Sequence, residues 1–184
     1  MARIPQITGK DSVAPEHHAV VDRVVEVFGQ VRGPFSILLH DPALAKLMVE
    51  LVPYFRESGV IPDGLRIVAI LAAVRERDTD YVWSAQVGYA RRVGLREAAI
   101  DILRAKGDSA ALTQDEREIV DYARSLARTN TVDQAQFDTL QRKYGTKWLV
   151  ELTSAIAFYT SLCMLASAFE VPAPADGDRF RPAT

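Results

Sequence analysis

The chain has 184 residues, 48% of them hydrophobic and 25% charged, with a net charge of −2. This is the composition of a globular domain large enough to bury a core, and it lacks the basic excess that nucleic-acid binding requires. A single cysteine excludes an intrachain disulfide and a multi-cysteine metal site, and it suits a reducing cytoplasm.

Residues 1–16 read as an irregular lead-in without the apolar run of a secretory signal. Val20, Val21, Val24, Val25 and Phe28 then repeat at helical spacing, and Gly29 and Gly33–Pro34 break that helix. Phe35 to His40 reads as a short apolar turn. Asp41–Pro42 opens a new helix, with Asp at the N-cap and Pro at the first helical position. Its expected buried side is Leu44, Leu47, Met48, Leu51 and Val52.

Pro62 starts the next helix. Ile67 to Val74 is apolar all round, as befits a helix covered on every side and central to the fold. Thr79 or Asp80 caps the following helix, which runs to about Val93 and stops at Gly94. Arg96 to Ala105 is a short helix. Two capping boxes are expected further on, Thr113 with Glu116 and Thr131 with Gln134. The first opens a helix presenting Ile119, Val120, Ala123 and Leu126; the second opens one presenting Phe137, Leu140 and Tyr144 that ends at Gly145.

The last helix runs from about Lys147 to Phe169. Its apolar stretch is interrupted by Thr153, Ser154, Tyr159, Thr160, Ser161 and Ser167, so it reads as a core helix rather than a membrane span. Residues 172–184 read as a flexible tail. No window alternates as a strand would. The expectation is an all-α protein of roughly seven to nine helices with one domain over residues 17–171.

The break between the helices at Ile67–Val74 and Thr79–Val93 is the best candidate for a site. Val82, Gln86, Tyr89 and Val93 share one stripe of the second helix, and Gln86 is its one strongly polar member. A buried amide left without partners costs about 1–3 kcal/mol, so Gln86 must find them in the protein or in a ligand. Tyr81 and Trp83 flank it as walls of an apolar pocket with polar handles. His40 is a residue type suited to acid–base work, although a backbone hydrogen bond that fixes its turn is the plainer reading. Arg66, Arg75, Arg77, Arg91 and Arg92 gather around the helix pair and are able to hold a carboxylate bidentately, though arginines at helix ends are more often solvated. His17–His18 has no third ligand, and no metal site is expected. Cys163, inside an apolar helix, reads as an inert thiol.

The segment IPDGLRIVAILAAVRERDTDYVWSAQVGYARRVGL, with GPFSILLHDPALA before it and LVELTSAIAFYTSLCMLASAFEVPAP after it, resembles the carboxymuconolactone decarboxylase and alkylhydroperoxidase D-like superfamily over about Gly33 to Pro174. The resemblance implies an all-α bundle that assembles as homo-oligomers, often trimers or hexamers. The family's peroxidase branch uses a C-x-x-C pair, a histidine four residues on and a glutamate on the preceding helix. Those positions fall here on Thr79 and Val82, on Gln86 and on Ile67. Without a thiolate in the pair, hydroperoxide reduction by that mechanism is excluded. The decarboxylase branch works without the pair, by acid–base chemistry on a small anionic lactone. It often carries a histidine where this chain has Gln86, and His40 matches a histidine common in that subgroup.

The resemblance therefore implies a lyase-like protein that binds a small organic acid, lactone or related ring compound. Gln86 would contact the polar part of the ligand, and His40 or Glu76 would titrate. Ile67, Thr79, Tyr81, Val82, Trp83 and Tyr89 would line the site, with no metal or organic cofactor. The alternative is an oligomeric binding or scaffold protein that kept the fold and lost the chemistry.

Overall fold

The computed structural model describes residues 2–180; Met1 of the lead-in and residues 181–184 of the tail lie outside the described residues. The described chain is all-α, without strands, and falls into two compact units. The first runs up to Gly59 and includes Leu165–Pro172; the second is Val60–Met164 with the chain from Ala173 on.

In the first unit, two 3-10 turns (Lys10–Ser12 and Pro15–His17) precede α1 (His18–Phe28), α2 (Pro34–Leu38) and α3 (Pro42–Pro53), and a π-helical turn follows at Tyr54–Ser58. The lead-in is irregular but tied down: the Ile7 amide donates to the Ser36 carbonyl at 3.0 Å, and Gln6 Nε2 donates to Ser36 Oγ at 2.9 Å. Phe35 to Leu38 forms a short helix rather than a turn, because Pro34 sits at the first helical position and presets φ. The Asp41 carboxylate caps α3 by accepting from the Leu44 amide at 3.1 Å. The buried side of α3 differs from expectation. Val52 is enclosed as expected, but Ala45 and Val49 join it, whereas Leu44, Leu47 and Leu51 are exposed, Leu47 to 71%. Small and β-branched residues let α3 lie close along α1, where Arg23 fixes the pair through a fork to Glu50 at 2.8 and 2.9 Å.

In the second unit, α4 (Asp63–Glu76) is the central helix, with every residue from Arg66 to Val74 buried. It packs on α5 (Asp80–Arg92), α6 (Glu97–Arg104) and α7 (Gln114–Thr129), and α8 (Gln134–Tyr144) packs on α7. The capping box of α7 forms as expected: Glu116 closes it and also takes a fork from Arg96 at 2.6 and 2.7 Å. The expected box at Thr131 does not form. Asp133 caps α8 instead, accepting from the amides of Ala135 and Gln136, while Thr131 Oγ1 pairs with Thr129 Oγ1. The helix begins at Gln134, and the residue next to it carries a carboxylate at capping distance.

The last helix, α9 (Thr146–Ala168), is the one helix among the described residues long and apolar enough to cross a membrane; 61% of its most apolar window is buried within the protein. Its composition is that of a core helix.

Candidate functional site on the α4–α5 pair

Eight of the nine residues singled out above belong to the second unit, on α4, on α5 and at the turn between them. Ile67 is fully buried on α4, and Val82 and Trp83 are buried on α5. Thr79 is the N-cap of α5, but its hydroxyl donates to the Arg77 carbonyl at 3.2 Å instead of capping an amide. Tyr81 is buried one turn before Gln86, and Tyr89 is half-buried one turn after it. The Tyr89 hydroxyl accepts from Arg66 Nη2 at 3.2 Å. Arg66 is itself enclosed, held also by the Ile61 carbonyl and by Asp63, so its charge is spent on bracing α4 against α5.

Gln86 is 6% exposed, and its Oε1 is enclosed without a hydrogen-bond partner among the described residues. An orphaned carbonyl oxygen in such a place is costly and selects for a donor, an N–H or an O–H. As an amide, Gln86 can accept, donate, orient or polarise, but it cannot shuttle a proton at neutral pH.

Glu76, at the C-terminal end of α4, is held by Arg128 at 2.8 Å, Lys106 at 3.6 Å and Arg124 at 3.7 Å. Burial raises its pKa, but the Arg128 hydrogen bond and the three cations outweigh burial and keep the carboxyl below its ordinary range. It therefore stays ionised through the neutral range and anchors α4 to α7.

His40 belongs to the first unit, where its Nε2 pairs with the Pro5 carbonyl at 2.8 Å. This bond fixes the lead-in on the turn before α3.

The only cysteine lies beside the site. The Cys163 sulfur shares a hydrogen bond with Thr79, but burial pushes its pKa up to about 12. A thiol so placed is neutral and a poor nucleophile.

One group was missing from the sequence reading. The tail does not stay loose: Asp178 lays its carboxylate on α5 and α6. Trp83 Nε1 donates to Oδ1 at 3.0 Å, Arg91 Nη2 to Oδ2 at 2.9 Å, and Arg104 Nη2 to Oδ2 at 3.0 Å. Burial raises the Asp178 pKa, but these bonds hold it below the ordinary carboxylate range. The Phe180 ring lies over the Arg75 guanidinium at 4.2 Å and edge-on to Trp83 at 6.3 Å. The arginine cluster was the visible half of this arrangement; its acidic partner sits far along the chain in a segment with no periodic pattern.

No protein-family model and no curated protein sequence matches this chain. Solved structures do match its fold. A Cys-to-Ala form of the debrominase Bmp8, in complex with 2,3,4-tribromopyrrole, superposes with a TM-score of 0.74 at 18% identity, covering 95% of each chain. An uncharacterised peroxidase-related protein from Ralstonia eutropha with an alkylhydroperoxidase AhpD core gives 0.76 at 16% identity, over 95% of this chain and 93% of that one. A protein of unknown function from Agrobacterium tumefaciens gives 0.67 at 18% identity, over 79% of this chain and all of that one. The chain has the alkylhydroperoxidase D-like fold, and its sequence contains no C-x-x-C pair.

Proposed function

We propose that the α4–α5 pair binds a small ring compound or organic acid and converts it by acid–base chemistry that uses no thiolate. The observation that carries this reading is the orphaned Gln86 Oε1, buried at the position where the family keeps its active histidine. An enclosed acceptor favours a ligand that brings a donor, such as a pyrrole-like N–H, a phenol or an un-ionised acid, over a lactone that brings none. The fold shared with a debrominase that binds a bromopyrrole agrees with a small ring of that kind. Ile67, Val82 and Trp83 supply apolar wall, Tyr81, Tyr89 and Thr79 the polar edge, and Gln86 the orienting contact. Glu76, kept ionised by its cations, would enter this chemistry only as a base. No metal or organic cofactor enters this chemistry, and we place the protein in the cytoplasm.

A second reading is favoured by the ion pairs that lock Glu76: a binding protein of the same fold without turnover. In either case we propose a homo-oligomer. The outward stripe of α9, Val150, Ser154, Ala157, Ser161 and Met164, is uncharged along its length, with exposed apolar side chains at its ends and two grooves end to end along one edge. The test is a product screen with small ring acids, lactones, phenols and halogenated pyrroles. Turnover lost on Gln86→Ala, and on Glu76→Gln, supports the enzyme. Binding without consumption of any compound favours the second reading. Neither binding nor turnover would overturn both.

A further inference from the structure

The Asp178 seat has the features of a receptor. Its carboxylate is only 14% exposed and accepts from three side chains on two helices, Trp83 and Arg91 of α5 and Arg104 of α6. Arg104 meets it with Nε at 3.3 Å and with Nη2 at 3.2 and 3.0 Å to the two oxygens, so the guanidinium straddles the carboxylate. That geometry recognises a carboxylate specifically. Arg91 and Arg104 are held in place by carboxylates of their own, Glu97 and Asp101. Beside this anion seat is a ring seat, formed by the Arg75 guanidinium under Phe180 and by the edge of Trp83. Arg75 is fixed by Asp78 and by the Arg104 carbonyl at 2.7 Å, which joins the two seats through one hydrogen bond.

The tail fits through a single tight point. A Cβ on Gly177 would lie 2.2 Å from Ser84 Oγ and 3.1 Å from Ser84 Cβ, so only glycine passes there. The remainder of the segment, Val171–Pro–Ala–Pro–Ala–Asp, forms no helix or strand. A segment without helix or strand opens at lower free-energy cost than the helices it lies on. When the tail leaves, the Trp83 N–H loses its acceptor and Arg91 and Arg104 keep only Glu97 and Asp101, a loss that an incoming carboxylate makes good.

We propose that the Trp83–Arg91–Arg104 cradle with its Arg75 ring seat is a binding site for small aromatic carboxylates, which Asp178 and Phe180 fill from within the chain. The tail is thus a tethered competitor: ligand and tail exclude each other, and ligand binding releases Ala173 to Phe180. This site shares Trp83 with the Gln86 contact but not its polar group. At 100° per residue, Arg91 lies about 140° around α5 from Gln86, and the proposal stands whether or not Gln86 binds anything.

The probe is phenylacetate, titrated calorimetrically into the full-length parent and into full-length Asp178→Ala/Phe180→Ala. A tail that occupies the cradle about nine-tenths of the time lowers apparent affinity about tenfold, so the double variant should bind at least that much more tightly. Binding should be lost when Arg104→Ala is added and kept when Gln86→Ala is added. Gly177→Val, which dislodges the tail and leaves every cradle residue intact, should reproduce the gain and serves if the double variant fails to fold. In the parent, saturating phenylacetate should move the Trp83 indole N–H resonance and sharpen the Gly177 amide signal towards that of free chain. Equal affinity in parent and variants, or no binding in a folded variant, overturns the proposal and leaves Asp178 a structural latch.

Discussion

The Cys163 sulfur shares a hydrogen bond with the Thr79 hydroxyl, which joins the C-terminal part of α9 to the N-cap of α5. One sulfur thus lies beside the start of α5, but burial holds it protonated.

The expected consequence is an unreactive thiol. With its pKa raised to about 12, Cys163 in the folded protein should scarcely react with a disulfide reagent at pH 8 and should react fully once denatured. Cys163→Ser should leave peroxide consumption unchanged. Rapid labelling of the native protein would contradict this account of the thiol.

Gln86 should sit at odds with stability. Replacing an enclosed, unpartnered acceptor by an apolar side chain of similar size removes a desolvation penalty of about 1–3 kcal/mol. Gln86→Leu should therefore be neutral or stabilising in urea unfolding, with an unchanged m-value. A loss of more than about 2 kcal/mol would mean that the amide is satisfied within the core.

Thr113→Ala should cost about 0.5–2 kcal/mol, since it removes half of the box that starts α7. Glu116→Gln should cost more than an exposed ion-pair deletion. Glu116 is buried and serves both the Thr113 amide and the Arg96 fork. Thermal unfolding of the two variants checks the order.

Acid should destabilise the second unit through Glu76, Glu116 and Asp178. For each, burial pushes the pKa up, but arginine partners outweigh it and hold it below the ordinary range. A carboxylate whose folded pKa is depressed binds fewer protons folded than unfolded just below its ordinary value. Its stabilisation is therefore complete above the unfolded pKa and lost as pH falls towards the folded one. Tm should be flat from neutrality to about pH 5 and then fall, and Arg128→Ala should flatten the part due to Glu76.

The architecture was largely legible because its strongest signal is local. A helix apolar on every side, Ile67 to Val74, has to be central, and it is. The wrong face of α3 shows where local pattern fails. Both sides of that helix carry apolar residues, and close approach to α1 selects the small and branched set over the leucines. Thr131 misled because threonine and aspartate both cap helices, and Asp133 is the residue next to the first turn. At the site, the orphaned Gln86 sits on the stripe where periodicity put it. Asp178 was hidden, because an ion pair between positions 178 and 104 leaves no trace in any window short enough to read.

The central claim is that Gln86 meets a ligand, and paired thermal unfolding tests it most directly. Parent and Gln86→Leu would be compared with pyrrole- and phenol-type ring compounds without a carboxylate that the parent binds. At about 100 times Kd a ligand should stabilise the parent by roughly 2.7 kcal/mol and leave Gln86→Leu unmoved. Equal stabilisation of both proteins by every such compound would contradict the account and move the site off Gln86.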